Sequence, residues 1–447
     1  MGLSKIRFMV VCVCAFLIFA STASAQDWFR AGTGLNVEKP RIAVADFAPR
    51  ADNAKSHSQL FTQVVRDDLQ FSGIVDLVSP SFYPPQAPTQ PSELKNEDWT
   101  TPQVNANLVA FGNLVESPSE VVISAWLYDV RSPSGQAVVG KVYRGTPTDA
   151  QVRKFAHQFA DEIISRLGAG LPGVASTQIA FVSSRTGSKE IWVMDYDGAN
   201  QHPLTNLRTI SLTPRWSPDA TRIAFTCFIP GAGGVVSPQI CMFSLDANKT
   251  ISFARFRGSN SAPAWSPDGS QIMFSSSMLG GNPEIFVTDS NGGRPKRITF
   301  SAGANTSPAW NPKTGQSVVF VSDRGGIPKL YLMNADGTNT TELDLPDKGY
   351  LIDPAWSPNG QMLAFSWRRP DGNFDIYVME PITRQIIQLT RDNSRNERPS
   401  WAPDGRHLVF ESTRSGTRQI WTMLADGSQP HQLTMTGHNE SPNWSPK

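Results

Sequence analysis

Asn260, Asn305, Asn396 and Asn439 each stand three residues before the proline of a Pro-x-Trp triplet. A carboxamide carries two donors and an acceptor oxygen, so several at equivalent positions suit the capture of an extended peptide or loop. The neighbours widen the set: Ser259, Ser261 and Ala262 about the first, Thr306 and Ser307 after the second, Glu397 after the third. Arg395, Arg398, Glu440 and Asp353 add mixed charge, as a hydrogen-bonded protein interface requires. The same amide also suits a left-handed or turn-capping corner, and both readings stand at this point.

Groups that could break bonds are sparse. No Gly-x-Ser-x-Gly elbow occurs, and no Gly-x-Gly-x-x-Gly opens a helix after a strand. The histidines at 57, 157, 202, 407, 431 and 438 never fall at metal-ligand spacing within one element. The "DYDG" string at 195 lacks the remaining ligands of a calcium loop and reads as a hairpin turn. No catalytic residue, metal site or cofactor is expected.

The triplets belong to a longer repeat, "PRWSPDA", "PAWSPDG", "PAWNPKTG", "PAWSPNG", "PSWAPDG" and "PNWSPK", with Trp at 216, 265, 310, 356, 401 and 444. Periods near 45 residues mean blades or arrays. Between the tryptophans run "RIAFTC", "QIMFSS", "SVVFVS", "MLAFSW" and "HLVFES", each followed by a second alternating run and an Asp-Gly or Asn-Gly turn, or a short close such as "QIIQLT". Four strands per unit and six units predict a six-bladed β-propeller over residues 173–447. In Ser-Pro-Asp-Gly the proline presets the first corner and glycine accepts the positive φ that follows, so the motif is a fold device. The repeat opens at Gln178 without a Pro-x-Trp strand and the sequence closes just after one, so Pro442–Trp444 should complete the first blade.

Ahead of the repeat, residues 26–172 alternate strands and helices. Leu60, Phe61, Val64, Val65 and Leu69 fall at helical spacing with Gly73 as the stop. A second helix starts at the capping box Thr148–Gln151 and buries Val152, Phe155, Phe159, Ile163 and Leu167. The fold expected is an α/β N-terminal domain followed by an all-β six-bladed propeller, joined through "GAGLPG".

Residues 1–25 read as a secretory signal, with Lys5 and Arg7 before an apolar run and Ala23-Ser24-Ala25 as the cleavage site. Its removal takes Lys5, Arg7 and no acid, which moves the formal net charge from +1 to −1. That balance argues against nucleic acid or an anionic membrane as the main partner. No later stretch is apolar enough to cross a membrane. Cys227 and Cys241 flank one predicted hairpin and are either bridged in an oxidising compartment or two buried thiols.

The whole arrangement of signal, small α/β domain and six units carrying "PAWSPDG", "IAF" and "IYVM" resembles the TolB family of the Tol-Pal system. The resemblance implies a monomeric, non-enzymatic adaptor in the periplasm. It would link inner-membrane Tol proteins to the outer-membrane lipoprotein Pal, maintaining outer-membrane integrity and its constriction at division. Pal would dock on the channel mouth. Family members begin the mature chain with a short alternating apolar–charged segment that engages TolA. "QDWFRAGTGL" lacks that alternation, and Trp28 and Phe29 are its anchors if the contact is kept. The competing class is a periplasmic hydrolase or cofactor-dependent dehydrogenase using the axial channel, which should show a converging acid, base or metal set.

Overall fold

The computed structural model describes residues 39–447 apart from 133–136, 231–233 and 346–348. The expected signal, together with Trp28 and Phe29, lies outside the described residues.

The N-terminal part is a sheet with helices on one face. Its strands are β1 (Arg41–Val44), β2 (Ala48–Pro49), β3 (Asp76–Leu77), β4 (Leu108–Glu116), β5 (Val121–Asp129) and β6 (Ala137–Gly145), ordered β3-β1-β4-β5-β6 with β2 beside β4. Helices α1 (Lys55–Ser72) and α3 (Asp149–Leu167) cover one face, and the short α2 (Asn96–Trp99) lies in the segment between β3 and β4. That segment gains its helix because Trp99 is fully buried on the other face of the sheet, 5.3 Å from the Tyr83 ring. Phe47, Phe61 and Phe159 pack with ring centroids 4.7 to 6.2 Å apart between the sheet and α1 and α3. Gly112 permits this approach: a Cβ there would sit 2.4 Å from the Phe47 ring.

Both predicted helix signals operate. Gly73 closes α1 with φ 61°, and the Thr148 hydroxyl caps α3 by accepting from the Gln151 amide at 3.3 Å. The linker is pinned, because Asp161 on α3 accepts from the amides of Ala175 and Ser176, each at 2.8 Å.

Six four-stranded sheets follow. We number the blades in ring order by their innermost strands: Asn439–Trp444 (blade 1), Ser211–Trp216 (blade 2), Asn260–Trp265 (blade 3), Asn305–Trp310 (blade 4), Leu351–Trp356 (blade 5) and Asn396–Trp401 (blade 6). Blade 1 takes its first strand from the C-terminus, Trp444 lying opposite Ile179. The ring is therefore closed by hydrogen bonds between the two ends of the repeat.

The tryptophans act between blades. The indole N–H of Trp265 donates to the Arg215 carbonyl at 3.1 Å, and Trp216, Trp356 and Trp401 make the same bond to Asn443, Ala309 and Ala355 of the preceding blade. Trp310 departs from this, bonding to Gly315 in its own lengthened turn at 2.8 Å. Within the turns, the Ser266 hydroxyl donates to Asp268 at 2.5 Å and accepts from Gln271 N, while Asp268 accepts from Ser270 N. These donors, the Ser266 hydroxyl foremost, hold the Asp268 carboxyl down at about 2.

Candidate partner-binding channel

The innermost strands all run the same way, so the channel has two unlike ends. At the end where those strands begin, the loops from second to third strand and from fourth strand to the next blade gather, since Asn260 pairs with Ser276 and Ser276 with Glu284. At the other end lie the Ser-Pro-Asp-Gly turns and the N-terminal part. There Arg406 donates to the Gly73 carbonyl at 3.2 Å, and His407 stacks on Phe71 at 4.4 Å while its Nε2 meets the Phe71 carbonyl. Tyr196, from a turn of blade 1, donates to Asp68 of α1 at 2.6 Å.

At the loop end, the four asparagines expected to greet a peptide are fully buried. Each Nδ2 donates to a side chain on the third strand of the preceding blade: Asn260 to Gln239, Asn305 to Glu284, Asn396 to Asp375 and Asn439 to Gln419, at 2.7 to 3.3 Å. The carboxamide oxygens are also committed, accepting from Ser276 on Asn260, Arg324 on Asn305 and Ser412 on Asn396. They are not left-handed, since positive φ belongs to the residue two places on, but they do cap the turn before them: Nδ2 of Asn260 also donates to the Gly258 carbonyl, that of Asn305 to Gly303 and that of Asn439 to Thr436. The asparagines clasp one blade to the next. Of their neighbours, Ser259 is exposed, Ser261, Ala262, Thr306 and Ser307 are half-buried, and Glu397 is buried.

Those next positions form a ring that sequence patterns did not announce. Thr213, Ala262, Ser307, Asp353, Arg398 and Ser441 all have φ between 49° and 55°, each at a β-bulge in its innermost strand. A left-handed residue with a Cβ costs about 1 to 2 kcal/mol, so the surrounding contacts must hold it there. Four bulge amides donate across a blade junction, Ala262 to Thr226, Ser307 to Ser275, Arg398 to Ser366 and Ser441 to Glu411. For Thr213 and Asp353 the corresponding positions in the preceding blade are Val182 and Val321, whose side chains offer no acceptor. All six bulge residues line one cavity of about 520 Å³ that runs toward the tryptophan end.

Charge is concentrated on one side. Glu397, Glu411 and Glu440 are buried in blades 6 and 1, with Arg395, Arg398, Arg418 and Lys189 against them. Burial pulls the Arg398 pKa down, but the Glu411, Asp353 and Glu440 carboxylates outweigh it and raise it above the usual guanidinium value. Apolar exposure gathers on blades 2 to 4 of the loop end, at Val235 (74%), Leu279 (67%) and Phe300 (76%), with Met435 (77%) between blades 6 and 1. Phe300 is held under the Arg297 guanidinium at 4.6 Å. Among the described residues, no group of three or more His, Cys, Asp or Glu side chains could hold a metal ion. Cys227 and Cys241 are joined in a disulfide, Cα to Cα 5.9 Å, diagonally across the hairpin whose tip carries Val235.

The TolB beta propeller domain matches residues 166–351 and 346–447, and the TolB amino-terminal domain matches residues 33–136. The chain belongs to the TolB family. Among curated TolB relatives it is 34% identical over 241 residues to the protein TolB homolog of Chlorobium chlorochromatii (strain CaD3), covering 54% of this chain and 52% of that one. It is 31% identical over 235 residues to the Tol-Pal system protein TolB of Bordetella pertussis (strain Tohama I), covering 52% and 48%. The matched part thus spans about half the length of those curated relatives. The crystal structure of TolB from Acinetobacter baumannii superposes with a TM-score of 0.75 at 25% identity, over 92% of this chain and 98% of that one. The TolB arrangement of α/β part and propeller therefore extends across nearly all of the chain.

Proposed function

We propose that this protein is a non-enzymatic periplasmic adaptor of the Tol-Pal system that docks Pal on the loop end of its propeller. It links inner-membrane Tol proteins to the outer-membrane lipoprotein. Its role is to maintain outer-membrane integrity and constriction during division. The observation that carries the reading is the loop end itself, which faces away from the N-terminal part and sets exposed Val235, Leu279 and Phe300 on blades 2 to 4, across the channel from a charged sector on blades 6 and 1. Exposed apolar side chains with a polar surround mark a protein contact. The half-buried Ser261, Ala262, Thr306 and Ser307 lie at the centre of that face and are assigned to the same contact. The disulfide suits an oxidising compartment, in agreement with residues 1–25 acting as an export signal.

The test is titration calorimetry with soluble Pal. Leu279→Asp with Phe300→Asp is expected to weaken binding by about tenfold or more while the melt stays within a degree or so, as exposed anchors do. Unchanged affinity in the double variant overturns the assignment of this face.

A further inference from the structure

The x positions of the six Pro-x-Trp triplets form the next layer of the channel below the bulges, and they are Arg215, Ala264, Ala309, Ala355, Ser400 and Asn443. Five are small or short. The cavity exists because of them, and one guanidinium reaches into it from blade 2.

Arg215 is unlike Arg398, the other arginine that lines the channel. Arg398 is tied to Glu411 at 3.2 Å and to the Ser441 hydroxyl at 2.9 Å. The Arg215 guanidinium has no carboxylate within ion-pair distance among the described residues, and its hydrogen bond there runs from Nη1 to the adjacent Pro214 carbonyl at 2.9 Å. Asp353, three blades away across the ring, acts on it only through space. Arg215 is half-buried in the channel, and burial lowers its pKa from the ordinary value, with the Asp353 carboxylate acting against that and the Arg398 guanidinium adding to it. A guanidinium keeps its proton regardless, so what the site lacks is an anion. Its fork of N–H donors matches a carboxylate in a two-point bond. The walls at this end are indoles and prolines, including Trp265, Trp356, Pro267 and Pro312, which offer flat apolar surface, with Ser400 and Asn443 as polar groups in the same layer. A cavity of about 520 Å³ is of the size that holds a small organic ligand.

We propose that the tryptophan end of the channel binds an organic carboxylate, its carboxylate paired with Arg215 and its apolar body against the indole and proline walls. The same chemistry is presented by a free small acid and by the C-terminal carboxylate of a peptide entering the channel. The site lies at the opposite end from the proposed Pal face, so its failure would leave the adaptor reading untouched.

The experiment is titration calorimetry on the full-length mature protein with 3-phenylpropionate, its neutral amide, and an acetylated Ala-Ala-Phe peptide with a free or an amidated terminus. Saturable binding of at least one carboxylate is expected, with about tenfold or greater loss for its amide and in Arg215→Met, the value of a charge-assisted pair. The Trp265 indole bonds to the backbone carbonyl of residue 215, so the substitution leaves that contact in place, and an unchanged melt verifies it. Tighter binding of the free-terminus peptide identifies a chain end as the ligand class, and tighter binding of phenylpropionate a small acid. No saturable binding of either carboxylate overturns the proposal, as does equal affinity for acid and amide or equal affinity in Arg215→Met.

Discussion

Asn305 of blade 4 and Glu284 of blade 3 share a buried hydrogen bond of 2.7 Å across the blade junction. The same amide nitrogen reaches Ser301, and its oxygen accepts from Arg324 at 2.8 Å. Removing the carboxamide strips a buried carboxylate of one donor and leaves the arginine short of an acceptor. Asn305→Ala is expected to cost about 1 to 3 kcal/mol, read as a lower urea midpoint. Asn305→Gly should be no better, because the position is ordinary strand and gains nothing from left-handed freedom. Recovery of stability with glycine would restore the turn-corner explanation.

Ala220 tests the opposite case. It occupies the turn position that is glycine in blades 3, 5 and 6, and it holds φ at 60°, beside 70° for Gly269. A Cβ in that conformation is strained by about 1 to 2 kcal/mol, part of which glycine gives back through its freer unfolded chain. Ala220→Gly should therefore raise Tm by about 2 to 4 °C per kcal/mol recovered. A lower Tm would mean that the side chain, packed in the core shared with Trp216 and Ile223, outweighs the backbone term.

How much of this was legible differs by range along the chain. Turn chemistry and strand alternation are local, so the blades, their order and the C-terminal closure follow from the string around Trp265 and its copies. The clasp is not local in that sense. Its acceptors stand 21 residues before Asn260, Asn305 and Asn396 and 20 before Asn439, a regular offset that turn rules never consult. The bulge ring runs against propensity, since Thr213, Ala262 and Arg398 are held left-handed among neighbouring blades. Arg215 was in plain view as the odd member of its six, and only the cavity gave it significance.

The junction between α1, α3 and blade 1 should respond to pH. Asp68 accepts from His157 Nδ1 at 2.8 Å and from Tyr196, with Asp197, Arg153 and Asp161 nearby. Burial raises the Asp68 carboxyl despite the opposing bonds from His157 and Tyr196. For His157, burial acts downward, and the hydrogen bond and charge of Asp68 outweigh it, so its pKa also rises. Both directions mean that the folded pair holds protons more tightly than the unfolded chain. For a raised histidine the contribution is complete below about pH 6.5 and is lost as pH climbs through the folded value. Melts between about pH 5.5 and 8.5 should show Tm falling more steeply in the native protein than in Asp68→Asn with His157→Gln. Parallel curves would refute the assignment.

Closure of the ring gives the last prediction, because two tryptophans of one motif do different work. Trp444 is buried, its indole donates to Thr177 at 2.7 Å, its amide donates to Ser400 of blade 6 at 3.1 Å, and its strand carries the pairing that seals blade 1. Trp310 is half-buried and spends its indole bond within its own turn. Trp444→Ala thus removes a packed ring and a bond from the C-terminus to the start of the repeat, whereas Trp310→Ala removes a partly exposed ring and a bond internal to one turn. The first is expected to cost about 3 to 5 kcal/mol and the second about 1 to 3, measured by urea unfolding of both variants under one condition. Hydrogen exchange should place the difference, with amides of Gln178–Ser183 losing protection in Trp444→Ala alone, since that strand would face an edge each time the C-terminal strand detaches. Equal losses, or an unprotected blade 4 in place of blade 1, would mean that the seam is no weaker than any other junction and that closure rests on the asparagine clasp.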